Sequence, residues 1–428
     1  MEHFDLIIVG SGPAGLGAAF EYLRRRPASG VLIIDKNEFS SGGLRNDCKM
    51  NFTWPIGFPE GIWTRDQAEP YLARVEQFLE PQILEKKNLA VYTQRALKIG
   101  VDLLEIRQAH LGTDGGLELI KSLIARLGKL GAALSLGESA VSVNQGARVL
   151  FTDRRELGYD NLVMAPGRGG FAFLQGIMSA AGIAFTDNVV DIGLRIETTA
   201  ERYPIVRDYY DPKFLFPKKT RTFCTNSRAA HVVQEKYEAP DGSPWYSVNG
   251  HAWSASRPAN GLVNFAMLKT VTLTEPLASG QAYARMLGTQ AALLGGGRPI
   301  MQRIGDFRLG KRSTRTRFSG DLYDFEPTLP SATPGDVGLC APAKIMRALW
   351  NAMKLLDTIV PGLLHPSTIM YYPEIKLYAN RPLFQDQSFM VLPGMYLIGD
   401  GAGTSRGITA AWASGLRAVD GMLGSRAE

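Results

Sequence analysis

Residues 4–9 form a short, mainly apolar run, the pattern of a parallel strand buried on both faces. Ala14, Ala18, Ala19, Tyr22 and Leu23 then recur at helical spacing, and residues 31–34 make a second apolar run closed by Asp35. Residues 117–130 are amphipathic with a helical period, 140–143 and 148–152 predict a β-meander, and 161–165 predict another buried strand. Segments 189–197, 220–224, 231–234, 245–248 and 262–268 alternate or run apolar like strands of an antiparallel sheet, and a helix is predicted over 280–294. Residues 394–398 predict a last strand, with a small-residue helix following through Ala418. The segment 327–335, rich in Pro, Ser and Thr, reads as the clearest linker.

The first predicted strand runs straight into Gly10-Ser11-Gly12-Pro13-Ala14-Gly15, with the spacing G-x-G-x-x-G. Gly10 suits a tight turn, Gly12 lets backbone approach a pyrophosphate, and Gly15 lets helix and strand pack closely. The free N–H groups of a helix starting at Pro13 and Ala14 face the anion. Asp35 lies 20 residues after Gly15, where a carboxylate accepts hydrogen bonds from a ribose, and Lys36 follows it. A plain glycine-rich turn has the same spacing; the flanking strand and helix and the placed acid favour a dinucleotide.

At the far end, the predicted strand runs into Gly399-Asp400-Gly401-Ala402-Gly403, and Gly407-Ile408-Thr409 opens the last helix. This pattern resembles the second flavin motif of the glutathione-reductase-like flavoproteins, the class with two dinucleotide-binding domains. The resemblance implies FAD, with Asp400 at its ribityl and pyrophosphate region. It also implies that the backbone of Gly407, Ile408 and Thr409 lies beside the flavin pyrimidine, where a helix start favours negative charge. Ala165-Pro166-Gly167-Arg168 resembles the A-T-G segment where such chains leave the cofactor domain. By the same resemblance Val141 holds the adenine through its backbone, and the loop containing Gly43 and Leu44 passes the flavin.

More closely, the chain is similar to bacterial FAD-dependent dehydrogenases related to that class. The likeness is carried by His110-Leu111-Gly112-Thr113-Asp114, by residues 191–197 and 221–224, and by 399–403. It implies an α/β fold: a Rossmann-type FAD-binding domain, parallel sheet plus β-meander, over 1–170 and 335–428. An antiparallel-sheet α+β substrate domain is inserted over 171–334. The family's Cys-x-x-Pro-Gly-Gly stretch is here Cys224-Thr-Asn-Ser-Arg-Ala-Ala, and its Glu-x-Arg-x-Ser strand is Glu374-x-Lys376-x-Tyr378. The implied activity is an FAD-dependent oxidoreductase, dehydrogenase or oxidase, exchanging a hydride between flavin N5 and a small organic substrate. A flavin monooxygenase would carry Gly-Asp-Ala-Ala-His, which is not the sequence after Gly399. Such a monooxygenase is nevertheless the first alternative, and an FAD-containing RNA-binding or scaffold protein the second.

Composition narrows the partners. Forty-seven Lys and Arg against 41 Asp and Glu give a net charge of +6, but the basic residues fall in short pieces without interleaved aromatics. That favours a solvated surface or small anions over nucleic acid. No window approaches the ~18 apolar residues of a membrane span. Three isolated cysteines suggest a reducing, cytoplasmic setting, and with five scattered histidines no metal site is expected. No second G-x-G-x-x-G follows a mid-chain strand, since Gly295-Gly296-Gly297 reads as a helix stop. NAD(P)H or oxygen is therefore expected as a transient electron partner.

For catalysis the candidates are Lys49, Arg195, Glu374, Lys376 and Tyr378. Lys49 follows the flavin loop and would stabilise anionic reduced flavin, or else be a surface lysine. Cys48 beside it reads as a lone thiol rather than half of a redox pair. Arg195 and Glu197 share a strand face, either gripping substrate or forming a cross-strand ion pair. His251 and Trp253 read as loop residues, with His251 an acid–base group or a surface histidine. Glu374, Lys376, Tyr378 and Asn380 fall at period two, on one strand face turned to the active site or to solvent. There Glu374 or Tyr378 would move a proton and Lys376 would bind a substrate carboxylate.

Overall fold

The computed structural model describes residues 1–39, 44, 48–238, 242, 244–253, 257–318 and 324–424. Two compact units separate: residues 1–83, 106–188 and 378–428 form the first, and residues 84–105 and 189–377 the second.

At the centre of the first unit five parallel strands run in the order Met395–Leu397, Glu156–Met164, β1 (Glu2–Val9), β2 (Val31–Asp35) and Ala133–Leu136. The apolar run of residues 6–9 at the end of β1 has a direct cause. Leu6 and Ile8 pack into one core with α1 (Pro13–Arg25) and the last helix, Ile408–Leu423. Ile7 and Val9 point the other way, into a second core with Leu174 and Ile177. A meander of Ala140–Asn144 and Val149–Thr152 pairs onto Glu156–Met164.

Small residues let α1 and the last helix approach closely. A Cβ on Gly415 would stand 2.3 Å from the Ala14 carbonyl oxygen, and one on Gly17 would stand 2.7 Å from that of Trp412.

The second unit is built on an eight-stranded sheet in the order Thr333–Pro334, Ile300–Arg303, Ile369–Lys376, Val190–Thr199, Leu262–Val271, Thr220–Asn226, Lys213–Phe216, Asp102–Leu104. All neighbours are antiparallel apart from the first pair. Ile192, Leu194 and Ile196 pack against helices Gly280–Leu294 and Ala343–Ile359. The alternate residues Asp191, Arg195 and Glu197 are buried as well.

Several expectations change. The boundaries fall at 188 and 378 rather than 170 and 335, because Phe185–Thr186 pairs with Arg381–Pro382 and helix Ala343–Ile359 packs within the second unit. The segment 327–335 is no linker between units, since Thr333–Pro334 pairs with Ile300 and Met301. His251 and Trp253 lie in strand Pro244–Trp253, with His251 opposite His231. The strand through Glu374 stops at Lys376. Tyr378 and Asn380 belong to the first unit, so the four polar residues do not share one strand face.

Gly415→Ala is expected to cost about 1–3 kcal/mol, because the obstructing atoms are backbone and cannot swing aside. Chemical denaturation would register this as a lower midpoint; an unchanged midpoint would contradict the packing of the two helices.

Candidate cofactor site

Three strand ends meet behind the first glycine turn. The Gly10 N–H donates to the Ile34 carbonyl at 2.7 Å, and the Ala165 N–H donates to the Val9 carbonyl at 2.7 Å. Gly10 has φ +107°, and a Cβ there would lie 2.2 Å from the Ala165 oxygen. A Cβ on Gly15 would lie 2.0 Å from the Gly10 oxygen, so α1 can sit this close to β1 because position 15 has no side chain.

Two helices begin here without side-chain caps: α1 after Gly12 and Ile408–Leu423 after Gly407. Their first N–H groups lack intrahelical partners and carry the positive end of the helix dipole. Both starts face one cavity of about 440 Å³. Gly10, Gly12, Pro13 and Ala14 line it from the first turn, and Asp35 and Lys36 from the end of β2. Ala165 and Gly167 line it after the strand Glu156–Met164, and Gly399, Asp400, Gly407 and Ile408 from the C-terminal motif. Gly167 and Gly407 have φ +64° and +77°, and the space where a Cβ would stand is open at both.

Asp35 is nearly buried, and its carboxylate is already engaged. One oxygen accepts from the Ser11 N–H at 2.9 Å and the Ser11 hydroxyl at 2.6 Å. The other accepts from the Asn37 N–H and side-chain amide, both at 2.9 Å. These four donors match the roughly four acceptor positions of a carboxylate, so a ribose hydroxyl here would share or replace one of them.

Not every expected residue lines the cavity. Val141 is 56% exposed and does not; Glu138, Ser139 and Ala140 do. Thr409 is buried, and its hydroxyl accepts from the Asn51 N–H at 3.2 Å. That contact places the short strand Lys49–Asn51 beside the start of the last helix, with Lys49 half-buried upon it. Leu44 is fully buried in the core, and Gly43 lies outside the described residues. Cys48 is buried, and none of Cys48, Cys224 and Cys340 is part of a disulfide. The half-buried Tyr378 ring is covered by the Arg406 guanidinium, 3.2 Å from its centroid.

Sequence reading missed Glu138 and Arg168 as wall residues. Arg168 stood visibly inside the Pro166–Gly170 turn, whereas nothing in the pattern marked Glu138. Burial would raise the Glu138 carboxyl, but hydrogen bonds from Arg155, Ser135 and Thr152, with the Arg155 charge, bring it down to about 2. Arg155 Nη2 lies 3.0 Å from its carboxylate.

Arg195, Glu374 and Lys376 come together within the second unit. Arg195 Nε is 2.8 Å and Lys376 Nζ 3.1 Å from the Glu374 oxygens, with all three residues buried. Arg195 also donates to the Cys224 carbonyl at 2.8 Å and the Asn249 side chain at 2.9 Å. Glu197 stands apart from this group, accepting from the Tyr371 hydroxyl at 2.6 Å and from Thr328. Burial raises its carboxyl, against the lowering effect of those bonds.

Among the described residues no helix is long and apolar enough to cross a membrane, and no three His, Cys, Asp or Glu side chains are placed to hold a metal ion.

No family model and no curated protein matches the sequence. Solved structures do match over the whole chain. NikD, an unusual amino acid oxidase essential for nikkomycin biosynthesis, is 14% identical, with 100% of this chain and 96% of that one covered at a TM-score of 0.42. Glycine oxidase from Geobacillus kaustophilus is 12% identical, with coverage of 100% and 96% and a TM-score of 0.43. L-proline dehydrogenase from P. horikoshii is 11% identical, with coverage of 100% and 95% and a TM-score of 0.44. Likeness at this level assigns no activity.

Because the Glu138 carboxyl is depressed from the ordinary 4.5 to about 2, it contributes stability above pH 4.5 that is lost as pH falls towards 2. Glu138→Gln should therefore melt lower than wild type at neutral pH, with the gap closing through that window. A gap independent of pH between 5 and 2 would contradict the ion pair.

Proposed function

We propose that the protein is an FAD-dependent oxidoreductase, a dehydrogenase or oxidase acting on a small organic substrate, whose first unit is a Rossmann-type cofactor domain. One observation carries this reading. Two uncapped helix starts and two acid-bearing turns, from opposite ends of the chain, line a single cavity. A diphosphate fits at Gly12–Ala14, an adenosine fits between Asp35, Lys36 and residues 138–140, and a ribityl chain fits beside Asp400. The flavin pyrimidine fits against Gly407–Thr409, where the helix start stabilises negative charge. FAD bound there supplies two-electron redox chemistry at its N5 position.

The chain's own residues then bind, orient and handle protons. Lys49 is the candidate cation for the ring, supported by the contact of its strand with Thr409. Glu374 is buried and held by both Arg195 and Lys376, which supports a role in fixing those two cations and leaves Tyr378 as the better proton carrier. Lys376, buried and paired with Glu374, belongs to that same internal charge network. NAD(P)H or oxygen serves as the transient electron partner, and the cytoplasm is the proposed setting.

The purified protein should be yellow, with one noncovalent FAD per chain. Asp400→Ala removes a group whose charged hydrogen bonds are worth ~1.5–3 kcal/mol, so its FAD affinity should fall about 10- to 100-fold. Full occupancy of that variant would break the assignment. Anaerobic titration of wild type at ~450 nm with NADH, NADPH and small organic acids should bleach the flavin with one compound class. Bleaching by none of them would count against the redox role.

A further inference from the structure

The turn after the strand Glu156–Met164 carries a feature that the glycine motifs do not explain. Gly167 and the turn at Asp400–Ala402 are pressed together: a Cβ on Gly401 would stand 2.7 Å from the Gly167 oxygen and 3.1 Å from its nitrogen. This contact fixes Arg168 opposite Asp400, with its Nε 3.3 Å from one carboxylate oxygen. The Ser405 hydroxyl donates to the other at 3.2 Å. Asp400 is mostly covered at 16% exposure, whereas the Arg168 side chain is 53% exposed and in the cavity wall.

The charges in that wall pose an electrostatic problem. Asp35, Glu138 and Asp400 are acidic, and Lys36 and Arg168 are the cations that line the cavity among the described residues. Glu138 is compensated from behind by Arg155, and the Asp35 carboxylate by Ser11 and Asn37. A diphosphate entering at Gly12 would bring further negative charge towards Asp400. Helix starts offset part of it, but like charges in a partly desolvated cleft repel unless a cation stands between them.

We propose that Arg168 is a bridging residue for the cofactor diphosphate, its guanidinium held against Asp400 and directed from the cavity wall to phosphate oxygens. This rests on the FAD reading and adds to it: Arg168, beyond the helix starts, sets the preference for phosphate-bearing flavins. It also makes retention of the cofactor sensitive to ionic strength. Guanidinium suits the task because its planar fork can serve a carboxylate and a phosphate at once, which an ammonium does less well.

The test is titration of the full chain, freed of flavin, with FAD and with riboflavin, at about 0.05 M and about 0.5 M salt. Wild type, Arg168→Gln and Arg168→Lys would be compared. Arg168→Gln should bind FAD about tenfold more weakly at low salt, with a flatter salt dependence, while its riboflavin affinity stays within about twofold. Arg168→Lys should recover part of the FAD affinity. An equal loss for FAD and riboflavin would make Arg168 a structural residue, and no loss for either would remove it from the site. Both results would overturn this proposal while leaving the cofactor assignment standing. Failure of wild type itself to bind FAD would instead overturn the assignment on which it rests.

Discussion

The first unit depends on backbone meeting backbone at the end of β1. The Gly10 carbonyl, the Ala165 carbonyl and the first turn of α1 occupy a volume in which side chains at positions 10 and 15 would collide at about 2 Å. Omitting those side chains lets α1 start directly behind the strand, so its unpaired N–H groups face the space at the strand ends. The same economy recurs at the other chain end, where Gly399, Gly401 and Gly407 shape the turns before the last helix. Gly415 then locks that helix against α1. One packing contact thus aligns two helix starts on a common cavity.

Much of this site was legible in sequence because it is local. A glycine spacing, a strand before it and a helix after it are fixed within thirty-five residues, and Gly10, Gly12, Asp35, Asp400 and Gly407 do line one cavity. What escaped is what only tertiary pairing determines. Nothing near residue 185 announces that Phe185–Thr186 will pair with Arg381–Pro382, and that pairing moves the unit boundary to 378. Val141 and the residues just before it have similar local patterns; it is the turn out of Ala133–Leu136 that brings Glu138–Ala140 to the cavity and leaves Val141 facing outward. The period-two row from Glu374 to Asn380 misled because polar alternation cannot reveal where a strand stops.

In the second unit the dominant feature is a buried charge network. Arg195, Glu374 and Lys376 have left water almost completely, and such groups are costly unless each is paired and hydrogen-bonded. Asn249 and the Cys224 carbonyl complete the Arg195 shell, and Gly250 is small because a Cβ there would lie 2.1 Å from the Asn264 side-chain oxygen. Removing one member would strand the others in a dry interior. Replacing the whole group with apolar residues would be better tolerated.

The central claim is that FAD is held by both helix starts together. Amide hydrogen exchange of the full chain, with and without FAD, tests it most directly. Segments 12–16 and 407–411 should both gain protection on addition of one equivalent, since each N-terminus then has an anionic or carbonyl partner. Protection at residues 12–16 alone would mean a nucleotide without a flavin seat, and protection at neither would contradict the account.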